Sequence, residues 1–209
     1  MMGTPLTAYQ LRYCPARFIH SKQVPAPLQV LAEALPDWRC QGVINAWLLS
    51  ELALPVDYTM PAKLAGLALF AQADLLRTLA LLGAILHGQA IRRVLDASTL
   101  ARVHAVIGVD GHRFCLEQFN LIIGSWPPGW QQPLPTDDLA RHLPHAGLQF
   151  WLQAIGDVDQ GFVRRLDLRL EKPLREQACS ITDVQRPLAQ ILCLKITRYA
   201  SPACLHLLD

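Results

Sequence analysis

The sequence predicts an all-α fold in a single domain over residues 1–209, with an irregular N-terminal segment at 1–24 and a proline-rich loop at 125–135. Three observations predict it. Apolar residues recur at three- and four-residue spacing through most of the chain, the pattern of helices with one buried face. Strand-like alternation arises in one stretch, 162–170, with no evident partner strand. The fifteen prolines are spread as punctuation, with no fixed-period repeat and no low-complexity tract, which favours one continuous helical body.

Taken in order, Pro25 and Pro27 introduce a short amphipathic stretch with Leu28, Leu31 and Leu35 at helical spacing, closed by Pro36. Asp37 is placed as the N-cap of a helix whose apolar face is Cys40, Val43, Ile44, Trp47 and Leu48, ending at Leu54-Pro55. The apolar run from Leu64 to Leu86 is long enough for a membrane span, but Gln72, Asp74 and Arg77 interrupt it, so it reads as a buried helix. Its stripe is Leu75, Leu79, Leu82 and Leu86. Gly88 is either a C-cap or a close-packing point, and Ala90 to Leu95 continue in register, giving a kinked helix pair.

Ser98 can cap a helix through Ile107, 108–111 reads as a turn, and His112 to Ile123 forms the next helix, ended by Gly124. Thr136 is the expected N-cap of a helix with Asp137 and Asp138 in its first turn, and Pro144 is expected to begin a second one carrying Leu148, Trp151, Leu152 and Ile155. Over 162–170 helix is preferred to strand, leaving a short β element as the alternative. The last helix begins near Pro187 and runs to Tyr199, with Leu188, Ile191, Leu192 and Tyr199 inward.

Hydrophobic residues make up 52% of the chain and charged residues 17%, against a usual charged share of about 25%. Mean hydropathy is +0.22, high for a soluble monomer and in keeping with an adhesive surface. Nineteen basic against seventeen acidic side chains give +2 with no clustering of either sign, which disfavours electrostatic capture of nucleic acid or of an anionic membrane. The first fourteen residues carry no readable secretory signal, so the expected compartment is the cytosol and the six cysteines are expected to be free thiols, mostly packed.

The chemistry-bearing motifs are sparse. There is no Cys-x-x-Cys, and the nearest metal-like pairs are His112-x-x-Cys115 and His142-x-x-His145, the second spoiled by Pro144 inside it. Residues 108–111 lack the spacing and the Lys of a phosphate-binding loop, and no Gly-x-Ser-x-Gly elbow occurs. The expectation is therefore no metal, no cofactor and no catalytic residue. A Cys/His thiol enzyme or redox sensor remains the alternative, because catalytic partners meet in space rather than along the chain. Arg92 and Arg93 complement a helix C-terminus and are also placed to meet an acidic partner. Trp126 and Trp130 in the proline loop are either tucked back as anchors or offered to a partner.

Several stretches together resemble one family: YQLRYCPARFIH (9–20), LGAILHGQAIRRVL (82–95), LIIGSWPPGWQQPLP (121–135), GLQFWLQAI (147–155), RRLDLRL (164–170) and DVQRPLAQILCLKI (183–196). As a set they are similar to the YscK family, also called SctK, of bacterial type III secretion, over nearly the whole chain in one order. The resemblance implies a non-enzymatic cytosolic adaptor of the injectisome sorting platform, peripheral to the inner-membrane base. It would link the forkhead-associated-like cytoplasmic domain of the inner-membrane ring protein, SctD, to the pod protein SctQ, with the SctL stator and SctN ATPase as indirect partners. The family supplies no catalytic or ligand residues to carry over. From this chain's own residues the candidate contacts are Tyr9, Arg12, Arg17, Arg92, Arg93, Trp126 and Trp130, because Arg and aromatics dominate interface energetics. A secretion chaperone is disfavoured by the near-neutral charge.

Overall fold

The apolar stripe after Asp74 forms the centre of the molecule. In the computed structural model, which describes residues 4–136, 138–173 and 180–208, α4 (Gln72–Leu86) buries Leu75, Leu79, Leu82 and Ile85 completely. Its most extensive partner is α7 (Leu139–Ile155), and it also packs against α6 (Ala97–Gln118) and α9 (Arg186–Ala200). Glycines set the approach of α4 and α7: a Cβ on Gly83 would stand 2.0 Å from the Leu143 carbonyl oxygen, and one on Gly147 2.1 Å from that of Leu79. Thr78 of α4 donates to the Ser201 hydroxyl at 3.2 Å, a buried polar tie to the end of α9.

Around this core run α1 (Ala8–Tyr13), α2 (Ala26–Ala34), α3 (Gly42–Glu51), α5 (Gly88–Ile91) and α8 (Gln160–Asp167), joined by short 3-10 turns; no strand occurs among the described residues. Thr7 and Gln10 form a reciprocal capping box on α1, and Asp159 caps α8 through the Gly161 amide at 2.7 Å. The stretch at 162–170 is thus helical as far as Asp167, as preferred from the sequence.

Several boundaries and faces differ from the sequence reading. Asp37 makes no capping bond; it precedes a 3-10 turn (Trp38–Cys40), and α3 starts at Gly42. Its buried face is Ile44, Asn45 and Leu48, while Val43 is 83% exposed. The buried Asn45 accounts for this rotation, because its Oδ1 accepts the Ala16 amide at 3.0 Å. Asp96, rather than Ser98, caps α6 through the Thr99 amide at 2.7 Å, and Ser98 donates to the same carboxylate.

The break within α6 is confined to Gly108, whose φ of +71° suits glycine, and Val109 to Gly111 already belong to the second arm. Asp138, rather than Thr136, caps α7, and Pro144 lies inside that single helix. The buried proline ring forgoes one amide bond to the preceding turn without ending the helix, because the surrounding core holds it. On α9 the inward face is Ala189, Leu192, Cys193, Ile196 and Ala200, so Ile191 and Tyr199 look outward instead. Asp137, and Cys179 among the six cysteines expected to be free thiols, lie outside the described residues.

Candidate interaction site

The four-residue α5 and the end of α6 bring three of the seven candidate residues into one aromatic ladder. Gly88 has no side chain, so the Phe119 ring lies where a Cβ would be only 2.5 Å away, which settles Gly88 as a packing point. The Arg92 guanidinium sits over the Phe119 ring, 5.3 Å from its centroid, and reaches the Asn120 side-chain oxygen at 3.4 Å. Phe119 stacks on Trp126 at 5.1 Å and 14°, and the Trp126 indole N–H donates to the Phe119 carbonyl at 2.7 Å. Trp126 meets Trp130 edge-on at 6.5 Å, and Trp130 meets Phe150 of α7 at 4.8 Å.

The ladder therefore runs from a surface cation to the core. Trp130 is fully buried and Trp126 half-buried, so both are tucked back as anchors. The loop carrying them is pinned to the C-terminus of α4, whose last carbonyls would otherwise be unsatisfied. Gln131 donates its side-chain amide to the Ile85 carbonyl, and the Gln132 amide donates to Leu86, each at 3.0 Å. Arg93, exposed beside Arg92, makes no ion pair or hydrogen bond through its side chain among the described residues.

Tyr9, Arg12 and Arg17 have no hydrogen bond, ion pair or ring contact with the ladder among the described residues. Tyr9 is 67% exposed and its ring lies 5.0 Å from that of Tyr13. Arg12 is held inward: it donates to the Val56 and Tyr58 carbonyls at 2.9 and 3.2 Å and covers the Tyr58 ring. Arg17 is exposed.

Sequence reasoning missed a pair of buried arginines one helical turn apart. Arg165 donates to the carbonyls of Leu11, Gly161 and Arg12 at 2.8–2.9 Å, with its guanidinium 4.2 Å from the Tyr58 centroid. Arg169 donates to Ala68 and Phe70 at 2.7 and 2.6 Å. Burial lowers both guanidinium pKa values, that of Arg169 to about 10, which leaves it charged at neutral pH. Burial raises the Tyr58 phenol against the opposing effect of the two nearby arginines. In the sequence Arg165, Asp167 and Arg169 simply alternate with leucines, and nothing local distinguishes a guanidinium that will meet backbone carbonyls.

No group of three or more His, Cys, Asp or Glu converges among the described residues. Two histidine pairs do meet: His104 with His112 across the Gly108 kink at 3.0 Å, and His87 with His142 at 3.3 Å. A groove of about 660 Å³ opens at the same kink, with Leu76, Leu81, Val106, Ile107 and Tyr199 in its walls. The described cysteines are free; burial pushes the Cys115 thiol up to about 12 and raises Cys193 and Cys204 as well, opposite to what a thiolate nucleophile needs. Among the described residues no helix is long and apolar enough to cross a membrane.

Comparison with known proteins decides the family. The model of the family described as YOP proteins translocation protein K (YscK) matches residues 5–209. The chain belongs to the YscK family. Relatives in Yersinia pseudotuberculosis serotype I (strain IP32953) and Yersinia enterocolitica, each described as Yop proteins translocation protein K, are 40% identical over 207 residues, covering 99% of this chain and 99% of theirs. Among solved structures, the YscK-family chain is similar to the cytoplasmic domain of the type III secretion sorting platform protein PscK from P. aeruginosa. That match has 50% identity and a TM-score of 0.81, covering 98% of this chain and 99% of the other.

Proposed function

We propose that this YscK-family chain is a non-enzymatic adaptor of a type III secretion sorting platform, working in the bacterial cytoplasm at the inner-membrane base of the injectisome. The observation that carries the reading is the likeness to the sorting platform protein PscK over nearly the full length of both chains, at 50% identity. In this role it bridges the cytoplasmic domain of an SctD-type ring protein and an SctQ-type pod protein, with the SctL-type stator and SctN-type ATPase as indirect partners. Its work is non-covalent: a rigid helical core presents separate surfaces, so that holding one partner positions the other. Tyr9 and Arg17, and separately Arg92, Arg93 and the exposed rim of Trp126, are the proposed contacts. Arg12 and Trp130, turned inward, position them.

Calorimetric titration of the purified chain with each of the two partners tests this. Saturable binding to both is the expected result. Binding to neither by folded protein would overturn the adaptor reading.

A further inference from the structure

We infer that the edge of the aromatic ladder at Arg92 and Arg93 is the docking point for an acidic, leucine-bearing segment of one of the two platform partners; this rests on the adaptor reading above. Both side chains are exposed, and neither makes an ion pair among the described residues. Asp96, the carboxylate next along the chain, is engaged in capping α6 through Thr99 and Ser98. Two adjacent cations are thus left without a carboxylate of their own, and a partner's carboxylates would complete them.

Arg92 is also pre-oriented. Its guanidinium plane is laid on Phe119, Phe119 is stacked on Trp126, and the indole N–H fixes that stack to the backbone. A cation held in place loses less side-chain entropy on binding than one on a free stem. The apolar half of the surface flanks it: Leu95, three residues beyond Arg92, is 97% exposed, and Leu121, beside the Asn120 that Arg92 reaches, is 71% exposed. Arginine with leucine, and no acid pairing among the described residues, matches an acidic segment that also carries leucine-sized residues.

The test compares the full chain with an R92E/R93E variant and an R92A/R93A variant, each titrated with the purified ring-protein domain and, separately, the pod protein. Charge reversal is expected to weaken one of the two complexes by at least ~tenfold, alanine by less, and to leave the other complex unchanged. The affected complex is expected to weaken further as salt is raised from ~50 to ~500 mM. Both positions are exposed and only Arg92 makes side-chain contacts, with Phe119 and Asn120, so the variants are expected to stay folded with a melting temperature lowered by no more than a few degrees. A photo-crosslinking residue in place of Leu95 or Leu121 is expected to attach to a net-acidic segment of the affected partner. Unchanged affinity for both partners in the charge-reversed variant, or crosslinks to a basic or uncharged segment, would overturn the proposal while leaving the adaptor reading standing. So would loss of binding to phosphatidylserine vesicles, or of self-association, with both partner complexes intact. If the parent chain binds neither partner, the adaptor reading itself fails.

Discussion

Gly147 of α7 and Leu79 of α4 are in contact through the backbone alone: a Cβ on the glycine would stand 2.1 Å from the leucine's carbonyl oxygen. The reciprocal contact of Gly83 with Leu143 makes this a two-point approach, so the helices cannot pivot away from one clash without losing the other. Gly147→Ala is expected to cost about 3 kcal/mol or more, read as a lowered urea midpoint, since the atom in the way is backbone and cannot change rotamer. Gly42→Ala is the control: nothing lies within 4 Å of its Cβ position, at the start of α3, and it is expected to be neutral or slightly stabilising. Equal midpoints for the two variants would mean that α4 and α7 are not so tightly apposed.

Replacing Arg169 separates charge from geometry. Arg169→Lys keeps the charge but a single ammonium replaces the fork that bonds both Ala68 and Phe70, so it is expected to be nearly as damaging as Arg169→Ala. Both are expected to lose about 2–4 kcal/mol of unfolding free energy, from orphaned carbonyls and lost packing. Full recovery of stability by lysine would show that the charge alone matters.

Burial holds His87, His112 and His145 below the ordinary imidazole value of 6.5; repulsion from His104 adds to the effect at His112. In the unfolded chain these rings titrate near 6.5, so below that pH the unfolded state binds more protons than the folded one. Their contribution is complete above 6.5, declines as pH falls through it, and levels off below the depressed folded values. Asp167, raised by burial, acts with opposite sign at more acid pH. Urea midpoints are expected to drop between about pH 7.5 and pH 5.5, and the drop is expected to shrink in His87→Gln, where the buried ring is gone. An identical drop in that variant would remove His87 from the cause.

The two loop tryptophans are expected to respond unequally. Trp130→Ala empties a fully buried site against Phe150 and is expected to cost about 3–5 kcal/mol, with loss of the blue-shifted part of the fluorescence. Trp126→Ala removes a half-buried ring and one hydrogen bond, for about 1–2 kcal/mol, and is expected to free the Arg92 guanidinium from its stack. Comparable losses at both positions would contradict the burial gradient along the ladder.

Much of the fold was legible because α4 buries an apolar stripe whose spacing survives in the one-dimensional pattern, and α9 was placed by the same spacing although its inward face was not. What was not legible depended on non-local polar contacts. The face of α3 turned because Asn45 meets the Ala16 amide, 29 residues away. Pro144 did not end α7 because tertiary packing outweighs a local penalty. The candidate site was partly legible: Arg92, Trp126 and Trp130 converge, but Phe119, which joins them, looks in sequence like any core aromatic. Arg165 and Arg169 were illegible, since partners that are backbone carbonyls leave no mark on composition.

Those two arginines also set how the molecule responds to its surroundings. The described surface ion pairs, such as Lys22 with Glu171 and Arg77 with Asp74, involve partly exposed charges and weaken with ionic strength. Arg165 and Arg169 join α8 to the N-terminal helix and to the segment before α4 through neutral acceptors that neither titrate nor attract counterions. At these two side chains the seam between the first seventy residues and the rest is therefore an electrolyte-indifferent fixture, which holds its geometry over ranges of salt and pH in which the molecule's outer charges, the Lys22–Glu171 pair across the same seam among them, are screened or titrated.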